Sequence, residues 1–387
     1  MIYLDHGATT PVDGRVVEAM RPYWAEIYGN PSSSHAYGRA AQRALENARQ
    51  SIAGLLNARP EEIIFTGCGS ESDNLALRGA LIAARAAGRG DHLIISAIEH
   101  SAVTQTAVQL RDYFGFELTI LPVDGYGRIR LADLEAALRP TTALISIMAA
   151  SNEIGALQPV AAIGALARAR GVLFHTDAVQ AVPVQSWDMA QMPIDLLSIA
   201  PHKFYGPKGV GVLYVRQGVE LVSPLTGGGQ EEGRRAGTSN VAFAVGAAEA
   251  LRLAMENLAA NVAHYQALRD RLIAGLTTAL PDDCLLTGHP TERLPHHASF
   301  AFRHISGNDL LMHLDLAGIA ASSGSACKSG NPKPAATLVA LGLGPEWTKG
   351  GLRLTVGRQN TAVEIEQVLA TLPAIIHKLR RLGAAFA

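Results

Sequence analysis

The sequence predicts an α/β protein: a large domain with a mainly parallel sheet flanked by helices, then a smaller α+β domain. Three observations carry this expectation. Short apolar runs alternate with longer, Ala-rich amphipathic runs through most of the chain, the arrangement that crossover units produce. The apolar runs are continuous, as in strands covered on both faces. After about residue 240 a long helical pattern leads into a second set of short strands.

Taken in order, the N-terminal MIYLDHGATTP has no basic region followed by an apolar stretch, so it is not read as a secretory signal. EEIIF (61–65) reads as the first strand, and ESDNLALRGALIAARAAG as a helix stopping at Gly88. HLIIS (92–96), ELTIL (117–121) and ALISIM (143–148) follow as strands. QPVAAIGALARARG is a helix stopping at Gly171, and VLFHT (172–176), DLLSI (195–199) and VGVLYV (210–215) complete the first set. Residues 241–280 read as one long helical pattern. ASFAFRH (298–304), GIAASS (318–323) and LRLTVG (352–357) then alternate with helical stretches. The expected division is a large domain over 15–260, with 1–14 and 261–387 forming the smaller one.

Composition narrows the function classes. A chain of 387 residues, 48% hydrophobic, can bury a large core. Its net charge of -1, with charges interspersed, predicts no nucleic-acid partner. No apolar run approaches the ~18 residues of a membrane span. The three cysteines, Cys68, Cys284 and Cys327, have neither CxxC nor metal-site spacing. That pattern predicts a reducing, cytoplasmic setting. No metal site is expected; His296, His297 and His304 lack a matching carboxylate or Cys spacing.

Open parallel sheets bind ligands at the carboxyl ends of their strands. Here five such ends carry polar residues: TGCGSESDN after the first strand, then His100, Asn152, Asp177 with Gln180, and His202 with Lys203. Any one alone also reads as a cap or turn residue. Five on one sheet point to a single pocket. In TGCGSESDN, Ser70 and Asp73 resemble a capping box, and a helix starting there would aim free N–H groups at an anion such as a phosphate. A lysine at the position of Lys203 is ordinarily a surface residue, but with a lowered pKa it is suited to Schiff-base chemistry. Asp177 on a neighbouring strand could hold a pyridinium nitrogen. A phosphate cup, a lysine and an aspartate are what pyridoxal phosphate most needs.

At these residues the chain resembles the cysteine desulfurases of the NifS/IscS type, within the class V aminotransferase-like pyridoxal-phosphate enzymes. The resemblance runs through YLDHGATTP (3–11), GNPSSSH (29–35), TGCGSESDN (66–74), EH (99–100), SNEIG (151–155), HTDAVQ (175–180), HKFYGPKG (202–209), GGGQEEGRRAGT (227–238), SSGSAC (322–327) and LRLTVGR (352–358). It implies the aspartate-aminotransferase-like fold and assigns roles. Lys203 is similar to the lysine bonded to the cofactor, and His100 to the histidine stacked on its ring and assisting proton transfer. Asp177 would pair with the ring nitrogen, Gln180 with the phenolic oxygen, and Asn152 would lie near the ring and the substrate carboxylate. Gly69, Ser70 and His202 match phosphate-binding positions. Thr238 matches a threonine reaching in from a second subunit, which implies a homodimer with a shared site. Arg353 matches the arginine that clamps the substrate carboxylate.

The resemblance also gives Cys327 a role: it would take sulfur from L-cysteine, leaving L-alanine and an enzyme persulfide for a sulfur-acceptor protein, an iron–sulfur scaffold among the candidates. The small residues around Cys327, in a loop spanning about 322–335, suit sulfur that must travel. A selenocysteine lyase or another class V enzyme is the alternative. Two departures stand out. Ala200-Pro201 replaces the family's Ser-Gly, which removes a phosphate-binding hydroxyl, and KSGNPKPAA after the cysteine is unlike the family segment.

Overall fold

The computed structural model describes residues 1–323 and 334–384; Cys327 lies outside the described residues. At its centre is a seven-stranded sheet: β1 (Ile63–Thr66), β2 (His92–Ser96), β3 (Glu117–Leu121), β4 (Thr142–Ser146), β5 (Leu173–Asp177), β6 (Leu196–Ile199) and β7 (Gly211–Val215). The spatial order is β1-β7-β6-β5-β4-β2-β3. Neighbours run parallel except β7, which is antiparallel to β1 and β6. The mainly parallel sheet expected from the apolar runs is therefore present. EEIIF begins its strand two residues late, because Pro60–Glu62 form a short helical turn. The Glu62 carboxylate holds that turn by accepting from the Arg59 and Gln217 N–H groups.

Both faces of the sheet are covered. Ile64, Leu93, Ile95, Leu144, Leu196 and Leu213 share a core with apolar residues of α2 (Gly69–Ala86) and α3 (Ser101–Phe114), which follow α1 (Ala36–Leu55) in the chain. The alternate side chains, among them Ile63, Phe65, Ile94, Ile145, Phe174, Leu197 and Tyr214, join the larger core on the opposite face. That core includes α4 (Val160–Ala169) and α5 (Val241–Glu256).

The single helical pattern over 241–280 is two helices, α5 and α6 (Leu258–Ala279). Asn257 separates them, its side-chain amide donating to the Leu253 carbonyl (3.0 Å), a local bond that competes with helix continuation. Beyond α6, β8 (Cys284–Leu286), β9 (His297–Phe302) and β10 (Gly351–Thr355) form an antiparallel sheet with α7 (Gly307–Leu316) and α8 (Ala362–Ala384) nearby. Ile2–Tyr3 pair in parallel with Ile319–Ala320, and Asp5 bridges to Thr355. The N-terminal strand is thereby pinned beside β10, and residues 5–9 run on towards the carboxyl edge of the large sheet. Among the described residues no helix is long and apolar enough to cross a membrane.

Candidate active site

The polar strand ends meet in one cavity of about 360 Å³, within the range of small-molecule sites. Its lining includes Gly69 and Ser70 after β1, His100 after β2, Asn152 after β4, Asp177 and Gln180 at the end of β5, and His202 and Lys203 after β6. Arg353 on β10 closes the far side. Of the described residues assigned to the site from sequence, only Thr238 is missing from this lining. Thr238 is exposed, just past a hairpin formed by Gly229–Gln230 and Arg235–Ala236. Ser322 exchanges backbone hydrogen bonds with Arg353 (2.7 and 3.3 Å).

The anion cup differs in detail from its sequence reading. The helix cap is Cys68, whose sulfur accepts from the Glu71 N–H (3.4 Å). Glu71 reaches back to the Gly67 N–H (2.7 Å) and pairs with Arg235 (2.9 Å). The reciprocal cap thus involves Cys68 and Glu71 rather than Ser70 and Asp73, and Asp73 turns inward to complete burial. A Cβ at Gly69 would come within 3.1 Å of the Ala200 methyl and 3.3 Å of Val179. Glycine there keeps the α2 N-terminus open to the cavity.

Lys203 ends a short turn, Pro201–Lys203, in which proline starts the turn with its preset φ. Its Nζ donates to the carbonyls of Gly7 (2.7 Å) and Ala8 (2.8 Å). Burial and the nearby Arg353 pull the amine down to about 8, against Asp177 and Asp5. A substantial share is thus neutral near physiological pH. Gln180 also donates to Gly7 O (2.9 Å), which leaves its second amide N–H. His202 contacts Thr9 Oγ1 (3.1 Å), while burial and Lys203 push it down to about 4. It meets a ligand as a neutral imidazole. His100 caps α3, its Nδ1 accepting from the Ala102 N–H (3.2 Å). With Nδ1 accepting, the donor nitrogen of the ring is Nε2.

Asp177 is buried, with the Val179 N–H donating to Oδ1 (3.0 Å). Burial raises its pKa, opposed by His100 and Lys203. Arg353 is fixed by Asp5 (2.9 Å) and the Asn152 carbonyl (2.8 Å). That carbonyl also accepts from His297 Nε2 (3.2 Å). Gly155, at φ +73°, lets the turn after Asn152 lie on the His297 ring, where a Cβ would come within 2.7 Å of Nδ1. Each guanidinium nitrogen Nη1 and Nη2 keeps one further N–H for a ligand.

Sequence reading missed three parts of the site and its surroundings. Asp5 and the Gly7 and Ala8 carbonyls lie in DHGAT, a stretch that carries no chemical signal by itself. Asp73 looked like a surface cap. Glu99, beside His100, accepts from Ser96 Oγ (2.5 Å) and the Met148 N–H (3.0 and 3.1 Å), and burial pushes it up to about 8.

Comparison with known proteins agrees with this geometry. The aminotransferase class-V family matches residues 2–368. The cysteine desulfurase IscS of Methanosarcina thermophila is 46% identical over 382 residues, covering 99% of this chain and 93% of that protein. A solved NifS-like protein superposes with a TM-score of 0.90 at 35% identity, covering 98% of this chain and 100% of that one. SspA in complex with cysteine gives 0.80 at 33% identity, covering 93% of this chain and 100% of that one.

Proposed function

From the premise that the chain belongs to the aminotransferase class-V family and, within it, to the cysteine desulfurases, we propose that its cavity holds pyridoxal phosphate and that Cys327 takes the sulfur of L-cysteine. The observation that carries the reading is the convergence of Lys203, Asp177, His100 and Arg353 on one cavity beside an open helix N-terminus. The desulfurase reading is favoured over a selenocysteine lyase by the curated relatives, which carry the desulfurase name.

The donor set fits the cofactor. The α2 N-terminus, Ser70 and His202 would take its phosphate, Asp177 its ring nitrogen, the remaining Gln180 amide N–H its phenolic oxygen, and His100 its ring face. When bound, pyridoxal phosphate supplies a carbon for the lysine or substrate amine and a ring that accepts electrons from the substrate's Cα.

The protein's own groups orient and protonate. Arg353, held by Asp5 and the Asn152 carbonyl, presents two parallel N–H groups to the substrate carboxylate. Lys203, at about 8, can both attack as an amine and return a proton at Nζ. In the net reaction the Cβ–S bond of cysteine breaks and an S–S bond to Cys327 forms. The electron pair stays on carbon, and protonation there gives alanine, so no outside oxidant or reductant is needed. Thr238, exposed past its hairpin, would complete the phosphate cup of a second copy, making the working unit a homodimer. The persulfide would then pass to a sulfur-acceptor protein in the cytoplasm, with iron–sulfur cluster assembly one destination.

Two substitutions test the binding assignments. Arg353→Lys replaces the planar fork with a point charge. It should raise KM for L-cysteine by about 10–100-fold, the loss of a charge-assisted hydrogen bond, and leave the cofactor's visible band in place. An unchanged KM would remove Arg353 from substrate binding. Ala200 puts a methyl group at the cup, where the family has a hydroxyl. Ala200→Ser should tighten cofactor binding to the cofactor-free protein by about tenfold through one added hydrogen bond to a charged group. Titration showing equal or weaker binding would mean the cofactor's phosphate does not sit at Ala200.

A further inference from the structure

Beside Asp177 and His100 in the cavity lining stands a carboxyl group that the proposed reaction leaves without a task. Asp73 on α2 is 1% exposed, and among the described residues its Oδ1 has no hydrogen-bond partner. One donor atom each of Asp73, Asp177 and His100 lie within 4.8 Å of one another. We propose that Asp73 is a positioning residue: it stands as a neutral carboxylic acid and leaves Asp177 the single anion facing the ring nitrogen. The proposal deepens the cofactor reading given above and rests on it.

The groups around Asp73 leave no room for a second charge. From β5 come Asp177 and His175; from the β2–α3 turn come Glu99 and His100; from β6 comes Ser198; Lys203 faces Asp177 across the cavity. His175 Nε2 lies 3.7 Å from Asp73 Oδ1. It is not a counter-ion, because its ring is held by Ser146 (2.8 Å) and Ser198 (3.0 Å) and burial takes it down to about 3. His100 and Lys203 act on Asp177, favouring its anion against burial. An ionised Asp73 would be buried beside another carboxylate with only the Ser198 side chain to offset it, the arrangement in which one partner keeps its proton. Burial and Asp177 accordingly push Asp73 well above the ordinary range.

The sign of the linkage gives a test that does not need the cofactor. A carboxyl whose folded pKa is raised stabilises the fold fully only below its unfolded value of about 3.9, and that contribution is lost as pH rises towards the folded value. Asparagine keeps the shape and never ionises. In cofactor-free protein the melting temperature of Asp73→Asn minus that of wild type should therefore grow between pH 5 and pH 8. The infrared difference between the two should show a protonated carboxyl band in wild type only. In protein loaded with pyridoxal phosphate, Asp73→Asn should keep the pH midpoint of the visible band within about 0.3 units of wild type. Asp73→Leu, which removes the polar neighbour of Asp177, should move it by about one unit, a tenfold change in proton affinity.

A flat or falling melting difference, no protonated carboxyl band, or a midpoint shift in Asp73→Asn as large as in Asp73→Leu would each overturn the proposal. Failure of Asp73→Asn to fold would overturn it too, since the amide reproduces the neutral acid. If the cofactor-free results hold but wild type does not take up pyridoxal phosphate, the cofactor reading fails and the neutral Asp73 stands.

Discussion

Lys203→Ala should give a folded protein that no longer carries the cofactor's visible band after desalting and no longer forms alanine from L-cysteine. The expected loss is at least about a thousandfold, because the covalent anchor and the proton carrier disappear together. Folding should survive, since among the described residues Nζ is bonded only to the Gly7 and Ala8 carbonyls at the cavity wall. Circular dichroism and a melting curve would verify that. The pH dependence gives a sharper form of the same test. Only the neutral amine attacks a carbonyl carbon, and Lys203 is pulled down to about 8 by burial and Arg353. The rate of pyridoxal phosphate capture by cofactor-free wild type should thus climb about tenfold per pH unit below that value and level off above it. Retained colour and turnover in Lys203→Ala would sink the assignment, and a capture rate still climbing well above pH 9 would show an ordinary surface lysine.

Cys327→Ala separates sulfur transfer from everything before it. The cavity residues are untouched, so the variant should bind pyridoxal phosphate and L-cysteine as wild type does. Alanine release should fall at least about a thousandfold, as expected when a reaction loses its nucleophile. Mass spectrometry of wild type after L-cysteine treatment should find one added sulfur, located on Cys327. Sulfide or alanine release from Cys327→Ala at the wild-type rate would assign the nucleophile elsewhere. Cys68 and Cys284 give the internal comparison. Burial and Asp283 push the Cys284 thiol up to about 12, which disqualifies it as a thiolate. Cys68 caps α2 inside the cavity lining and should be shielded from alkylation once cofactor is bound.

Much of this protein was legible in its residues. Continuous apolar runs such as HLIIS and DLLSI specify strands buried on both faces, because no alternation leaves a face for water. Alternation with amphipathic helices then makes the sheet mainly parallel. The same regularity exposed the site, since polar residues stand out where five apolar strands end. What failed were statements about local partners. Ser70 and Asp73 have capping-box spacing, yet Cys68 and Glu71 cap the helix, because Asp73 lies on the buried side of α2. The break at Asn257 was likewise hidden, since a helical period continues on both sides of it.

The sequence by itself determined the fold class, the family and most of the residues at the cavity, since each depends on short-range pattern or on residue types at fixed spacing. Only the tertiary structure decided which groups act on one another. Asp5 and the carbonyls of Gly7 and Ala8 stand almost 200 residues or more from Lys203 and Arg353 in the chain, and no local pattern records that contact. The proton affinities of Lys203, His202 and Asp73 were shifted there as well. Proton affinity depends on burial and on neighbouring charges a few ångströms away, and those neighbours are supplied by strands that meet only when the sheet forms.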